Sequence, residues 1–493
     1  MEYLLLGLST AIQPTNLLSC LTGVFVGTAI GVIPGLGPLA AISLLLPLTF
    51  SLEPVTAVIM LAGIYYGAQY GGSTTAILMN LPGESSSAIT AIEGYQMALN
   101  GRAGAALFVT TISSFIGGTA GIILLMMTAP LLVKLGQAIG PAEYFALIVF
   151  CFIAIATVGG NNPLKGLTML AIGALLGTVG IDIYDGAERF TFGSDHLIDG
   201  IGLVPVAMGL FGLSEMIASV GGAEHRVRYR VTLRAMLPNL DEIRRSIWPT
   251  FRGSGIGCAL GALPGTGPTL ATIISYATEK RISRQSHRFG KGAVEGIAAP
   301  EAANNSAAQT AFIPTLTLGI PGSPTMAIII GALMIHGVVP GPQLISNHPD
   351  LYFGLVASFW IGNLLLLLLN LPLVGIWISL LSVPYRYLYP AIVALICIGC
   401  YGENNNTGDV VTMLSLGIGG YLLVRLNFPP APLLIGFILG PMLEENFRRA
   451  MILADGDGIY LVSSPISAIA LIVSALLLVR MAISDRHKTV SHP

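Results

Sequence analysis

Charge is what this sequence has least of. Asp, Glu, Lys and Arg together make up 10% of its 493 residues, against roughly 25% in an ordinary soluble domain. That shortage excludes a water-soluble globular fold, and a net charge of −2 argues against nucleic acid as a partner. Basic residues are scarcest over the first 220 positions, which hold only Arg102, Lys134, Lys165 and Arg189. Cysteine is rare too: Cys20, Cys151, Cys258, Cys397 and Cys400 are the full set. Cys397 and Cys400 share a helix face, but no second ligand pair follows them, so all five read as small packing residues rather than a metal or redox centre. Leu17-Leu18-Ser19-Cys20 has the shape of a lipoprotein cleavage box. No basic residue precedes it, and the stretch reads as part of the first membrane segment. Walker A, GxSxG and HExxH patterns are all missing, and no nucleophile, base and orienter can be assembled, which leaves ATP use and intramembrane hydrolysis without support.

Apolar residues fill the space that charge leaves. They make up 54% of the chain, and mean hydropathy is +0.79. Since a full crossing takes about 20 apolar residues, the runs predict an all-α polytopic membrane protein with about eleven to thirteen transmembrane helices and several re-entrant or broken pieces. Four segments follow: a first transmembrane repeat over 1–220, a basic connecting segment over 221–252, a second repeat over 253–450, and a C-terminal helix and tail over 451–493. Arginine crowds the connector (Arg226, Arg228, Arg230, Arg234, Arg244, Arg245, Arg252), and a second basic loop spans Lys280, Arg281, Arg284, Arg288 and Lys291. The positive-inside rule puts both loops, and the tail with Arg480, Arg486 and Lys488, in the cytoplasm. The acids from Asp182 to Asp199, with His196, lack metal-ligand spacing and read as an external loop.

The chain is written twice. Gly31 to Pro38, Gly-Val-Ile-Pro-Gly-Leu-Gly-Pro, returns as Gly261 to Pro268, Gly-Ala-Leu-Pro-Gly-Thr-Gly-Pro. Asn161-Asn162 ahead of Thr168-Met169-Leu170 is echoed by Asn404-Asn405 ahead of Thr412-Met413-Leu414, and Gly209-Leu210-Phe211 ahead of Glu215 by Gly436-Phe437-Ile438 ahead of Glu444. After the second Pro-Gly-x-Gly-Pro the chain enters a basic loop; after the first it enters Ser51-Leu52-Glu53-Pro54. Equivalent ends therefore face opposite sides of the membrane, as in inverted repeats.

Each Pro-Gly-x-Gly-Pro breaks an apolar helix, and a second pair of breaks follows at Pro82-Gly83 and Pro321-Gly322. Broken backbone at membrane depth is tolerated only where it is buried in protein or lines a wet cavity, and paired breaks in two halves point to a transporter's central site. The candidate substrate site is thus Pro34, Gly35, Gly37, Pro82, Gly83, Ser85, Ser86, Ser87, Asn304, Asn305, Pro321, Gly322, Ser323 and Thr325. Helix starts at Ser85-Ser86-Ser87 and Ser323-Thr325 would present N–H groups to an anion. Ser73, Thr74, Asn80, Asn305 and Ser306 offer hard oxygens for Na⁺. Glu84 and Glu301, the acids nearest the breaks, are candidates for a cation or a proton.

These blocks resemble the large membrane subunit of the tripartite tricarboxylate transporter family. They are the two Gly-x-x-Pro-Gly-x-Gly-Pro copies (31–38 and 261–268), the Tyr-Gly-Gly-Ser-Thr-Thr-Ala-Ile-Leu-x-Asn-x-Pro-Gly-Glu block (70–84) and Ala-Pro-Glu-Ala-Ala-Asn-Asn (299–305). The resemblance covers essentially the whole chain. It implies a multi-pass protein of the bacterial inner membrane that works with a small membrane subunit and a periplasmic solute-binding protein. It also implies uptake of an organic acid such as citrate, coupled to Na⁺ or alternatively H⁺, with no cofactor and no enzyme activity. A homodimer is left open, lipid surrounds the chain, and a passive anion channel is the rival reading.

Overall fold

Prolines begin helices in this chain more often than they break them. In the computed structural model, which describes residues 2–136, 139–158, 162–182, 184–219, 236–381, 383 and 385–490, Pro14, Pro38, Pro54, Pro141, Pro163, Pro324, Pro349, Pro430 and Pro465 each open a helix. At that position the missing N–H has no intrahelical acceptor to lose, and the fixed φ already suits the helix.

The first half runs α1 (Glu2–Ala11), α2 (Pro14–Gly31), α3 (Pro38–Leu45), α4 (Pro54–Met79), α5 (Ala88–Leu99), α6 (Ala103–Gly136), α7 (Pro141–Val158), α8 (Pro163–Gly177), α9 (Leu203–Ala207) and α10 (Ser214–Ser219). Met208–Leu213, between α9 and α10, is π-helical. The second half runs α11 (Leu240–Gly261), α12 (Gly267–Ile282), α13 (Glu295–Thr310), α14 (Phe312–Leu318), α15 (Pro324–Ile335), α16 (Leu344–Asn347), α17 (Pro349–Asn370), α18 (Val374–Leu380), α19 (Tyr385–Asn404), α20 (Thr407–Arg425), α21 (Pro430–Leu453) and α22 (Pro465–Val490). The described strands, β1 (Gly180–Ile181) and β2 (Glu188–Arg189), form one short antiparallel hairpin.

By length and composition α2, α6, α17 and α20 can each cross a bilayer, and shorter apolar helices supplement them. The protein is an all-α, multi-pass membrane protein. Its centre is α4, buried all round from Thr56 to Met79. A helix buried on every face belongs to the middle of a bundle.

The pairing of helices is that of two repeats. Glycines let α2 and α4 touch backbone to backbone: a Cβ on Gly23, Gly27 or Gly31 would lie 2.4, 2.4 or 2.3 Å from the carbonyl oxygens of Met60, Ile64 and Ala68. Gly253, Gly257 and Gly261 of α11 meet Ala299, Ala303 and Ala307 of α13 in the same way, at 2.1, 2.3 and 2.4 Å. Every contacted α13 residue lies 239 positions after its α4 counterpart. Other contacts exchange partners between halves: α6 packs on α13 and α17 on α4, while α8 packs on α21 and α20 on the α9–α10 segment. Asn162 and Asn406 each cap the helix that follows, through Leu164 N–H at 3.1 Å and Gly408 N–H at 2.8 Å. The caps shift the expected echo by one residue: Asn162 corresponds to Asn406, in step with Met169 and Met413, rather than to Asn405. Gly159, Gly160 and Asn161 lie outside the described residues.

Two bundles result. One gathers α1, α2, α4, α5, α6, α11, α12, α13 and α17; the other gathers α7 to α10 and α19 to α22. Contact between them runs mainly through α3 and α15, which pack on α9, the π-helical segment, α19 and α21. Of the basic connector, Arg226, Arg228, Arg230 and Arg234 lie outside the described residues. Residues 240–252 are the first turns of α11, opened by a capping box between Asn239 and Glu242.

Candidate functional site

The four breaks fold alike in pairs. Gly35 (φ +82°) and Gly265 (φ +79°) turn the chain between α2 and α3 and between α11 and α12, in a region that side chains other than glycine's rarely enter. Asn80 (φ +56°) and Gly319 (φ +62°) end α4 and α14 in the left-handed region, each two residues ahead of a Pro-Gly. A Cβ on Gly83 would lie 2.7 Å from Gly72 Cα, and one on Gly322 would lie 3.1 Å from Ala311 Cβ. These two contacts are again 239 positions apart.

All four breaks line one cavity of about 530 Å³, through Gly37 to Leu39, Gly83 to Ser85, Gly265 to Leu270 and Gly322 to Thr325. Tyr65 and Gln69 of α4 join them. Ile155, Glu215, Ala431, Pro432 and Ile435 close the opposite wall from the second bundle. The N-terminal ends of α3, α12, α15 and α21 all reach this space. Ser323 caps α15, accepting the Met326 N–H at 3.3 Å. No Lys, Arg or His stands among the lining residues, whereas Glu84 and Glu215 do, so helix N-terminal ends and hydroxyls are the groups able to meet an anion there.

Hydrogen bonds organise the wall. Gln69 Oε1 accepts from Asn304 Nδ2 at 3.0 Å, and the Ser86 hydroxyl, 3.5 Å from the same oxygen, gives its one hydrogen to Glu84. Ser87 Oγ accepts the Glu84 N–H at 3.3 Å and donates to the Glu84 carbonyl at 2.9 Å, fixing the 83–87 loop. Ser85 Oγ and Thr269 Oγ1, 3.2 Å apart, join the two repeats. Thr75 Oγ1 donates to the Val32 carbonyl at 2.8 Å, satisfying an oxygen that the end of α2 leaves free.

The sequence candidates thus divide. Gly37, Gly83, Ser85, Gly322, Ser323 and Thr325 line the cavity, whereas Pro34, Gly35, Pro82, Ser86, Ser87 and Pro321 shape the loops beside it. Asn304 reaches the lining through Gln69, and its Oδ1 is buried without a partner. Of the residues expected to hold a cation, Ser73 meets a carboxylate, donating to Glu301 Oε1 at 2.8 Å. The others turn to backbone or to solvent. Thr74 donates to the Tyr70 carbonyl at 3.5 Å, Asn305 to the Glu301 carbonyl at 3.1 Å and Ser306 to the Ala303 carbonyl at 3.3 Å. Asn80 is exposed at the end of α4. Glu215 of the cavity wall stands outside the sequence candidates, and its signal in the sequence is an acid inside the apolar run 198–220. Thr90 and Ser114, which also bond Glu301, carry no mark in the sequence.

A separate polar cluster holds the β-hairpin, where an external loop was expected. Asp182 Oδ2 lies 3.2 Å from Arg189 Nη2 and 2.9 Å from Arg448 Nη2, while Oδ1 accepts the Tyr184 N–H at 2.8 Å. That backbone hydrogen bond, and then the two guanidinium groups, hold the Asp182 carboxyl below its ordinary value.

Residues 17–435 match the family described as the tripartite tricarboxylate transporter TctA family. One relative, described as an uncharacterized 52.8 kDa protein in the TAR-I ttuC' 3' region of Agrobacterium vitis, is 51% identical over 468 residues, covering 95% of this chain and 93% of the relative. A second, from the TAR-II ttuC' 3' region of the same organism, is 55% identical over 212 residues, or 43% of this chain and 88% of the relative. No solved structure matches.

Proposed function

The chain belongs to the tripartite tricarboxylate transporter TctA family, and from that premise we propose that it takes up a di- or tricarboxylate by cation-coupled alternating access. The family supplies the large membrane subunit of a three-part system, so a small membrane subunit and a periplasmic binding protein complete it. The inner membrane is its proposed location, with the basic loops on the cytoplasmic side. The observation that carries the substrate reading is the cavity where the N-terminal ends of α3, α12, α15 and α21 converge without any basic side chain. Several partial positive charges spread over one space suit an anion with more than one carboxylate. They also spare the protein a buried Arg or Lys to neutralise when the site is empty.

An asymmetry between the repeats supports alternating access. In the correspondence of the halves, α3 matches α12 and α15 matches α5. The second bundle packs on α3 and α15, but α12 faces α21 across the open cavity. Were the halves to exchange these packings, the second bundle would close on α12 and α5 and part from α3 and α15. The site would then open at the other end. Because α12 and α5 lead to the basic loop at Lys280 and to Arg102, the present opening is proposed to face the cytoplasm.

The test is uptake of radiolabelled citrate by proteoliposomes holding this chain, its small subunit and its binding protein, with and without an inward Na⁺ gradient. Accumulation above equilibrium that collapses without the gradient is expected. Equilibration that ignores the gradient would instead mean a passive path.

A further inference from the structure

Among the described residues, the acids of the first bundle divide by what neutralises them. Glu295 pairs with Arg245, Glu279 with Arg252 and Glu242 with Arg102, and Glu93 is met by three backbone N–H groups, but neither Glu84 nor Glu301 has a basic side chain or a backbone N–H on its carboxylate. Glu301 is the more enclosed, 1% exposed. Its carboxylate gathers hydroxyls from three helices: Ser73 of α4 at 2.8 Å and Thr90 of α5 on Oε1, and Ser114 of α6 at 3.0 Å on Oε2. An isolated carboxylate in so apolar a setting is costly, and three neutral hydroxyls disperse its charge without cancelling it.

We propose that Glu301, Ser73, Thr90 and Ser114 form the Na⁺ site through which transport is coupled. The proposal rests on the cation-coupled reading above and adds which residues hold the ion and what the ion controls. A hydroxyl that donates its one hydrogen to the carboxylate keeps two lone pairs free. The cage therefore offers two carboxylate and three hydroxyl oxygens, all hard ligands of the kind that suit hard cations. One negative charge matches a monovalent ion; a divalent one would call for further carboxylates. The site also breaks the repeat. At 239 positions back, the counterpart of Glu301 is Ala62, so duplication of the chain does not duplicate the cage.

Its place in the fold supplies the coupling. Thr90 lies in the first turn of α5, directly after the 83–87 loop, and Gly83 to Ser85 of that loop line the substrate cavity. A Na⁺ ion shared by α4, α5, α6 and α13 holds α5 in position, and with it that loop. Loss of the ion frees α5 and dismantles one wall of the substrate site.

The test measures equilibrium binding of ²²Na⁺ by scintillation proximity to the purified full-length chain, beside citrate uptake by the reconstituted system. Wild type is expected to bind ²²Na⁺ saturably and Glu301→Gln to lose it. Thr90→Val and Ser114→Ala should each raise the half-saturating Na⁺ concentration at least tenfold, in binding and in uptake alike. These two variants decide the matter if Glu301→Gln does not elute as a folded protein. Unchanged ²²Na⁺ binding in both would overturn the assignment. So would a wild type that binds no ²²Na⁺ while a pH gradient drives uptake. Intact ²²Na⁺ binding without any carboxylate uptake would instead overturn the proposed function and leave this site standing.

Discussion

A Cβ placed on Gly257 would lie 2.3 Å from the Ala303 carbonyl oxygen and 2.0 Å from Ser306 Oγ. Both separations are well inside van der Waals contact, and the obstacle includes backbone, which cannot step aside. Gly257→Ala should therefore push α11 off α13. Overpacking a tight contact costs about 1–3 kcal/mol, and the loss is expected at the upper end because Gly253 and Gly261 hold the same seam. Gly255, two residues away, has nothing within 4 Å. Gly255→Ala should leave the thermal midpoint in detergent unchanged or slightly raised, since alanine favours a helix over glycine by roughly 1 kcal/mol. Fluorescence-detected size exclusion after heating separates the two.

The α15 to α9 contact is the place to arrest the proposed exchange of packings. A Cβ on Gly331 of α15 would lie 2.2 Å from Leu203 Cδ2 of α9, so cysteines at these positions sit within reach of a short bifunctional thiol reagent. In a chain stripped of its own cysteines, cross-linked Leu203→Cys/Gly331→Cys should lose uptake and recover it when a cleavable link is reduced. Full uptake by the cross-linked chain would mean that α9 and α15 do not separate during transport.

Much of this was legible because breaks in apolar helices are conspicuous. Gly31 to Pro38 and Gly261 to Pro268 stand out by composition, and the two Pro-Gly pairs follow at similar intervals, so the meeting of four breaks could be expected from the sequence. Side-chain direction could not. Asn80 looked like a ligand because it is polar and close to Pro82, yet it is the left-handed end of α4, and its counterpart Gly319 carried the hint. Asn305 and Ser306 stand beside Glu301 in sequence, but one turn of helix aims their hydrogen bonds at backbone. Thr90 and Ser114 reach Glu301 from 211 and 187 residues away, and a lone hydroxyl in an apolar helix looks the same whether it packs or binds.

Asp182 gives the β-hairpin a definite response to acid. Its carboxyl titrates below its unfolded value, chiefly because it accepts the Tyr184 N–H and then because Arg448 and Arg189 flank it. A group depressed in this way stabilises the fold fully above its unfolded pKa of about 4, and the contribution disappears as pH falls through the folded value. The thermal midpoint of the wild type should accordingly fall as pH drops below about 4. Asp182→Asn should start lower at pH 7 and lose less over that interval. Parallel curves for the two proteins would show that the hairpin does not share in the cooperative unfolding.

Glu93 is a buried acid with a structural part to play. It is 0% exposed and lies in α5, where its carboxylate accepts N–H groups from Gly290, Gly292 at 2.8 Å and Ala293 at 2.8 Å, together with the Tyr276 hydroxyl at 2.7 Å. All four donors point inward at one anion, so the first repeat clamps the loop that leads into α13. Glutamine at this position keeps the size but offers one acceptor oxygen in place of two, and of the four groups only the Tyr276 hydroxyl can turn to accept from its NH₂; the three backbone N–H groups can only donate. Given about 1–3 kcal/mol for each buried donor left unmet, Glu93→Gln should destabilise by about 3 kcal/mol even if only one or two donors lose their partner. The change should begin locally. Amide exchange at 290–293 is expected to accelerate at temperatures where α2 and α4 remain protected, and Na⁺ affinity should weaken because Glu301 lies six residues into the helix that this loop introduces. Unaltered exchange at Gly292 and Ala293 in Glu93→Gln would show that the loop is held by its own turns and not by the carboxylate.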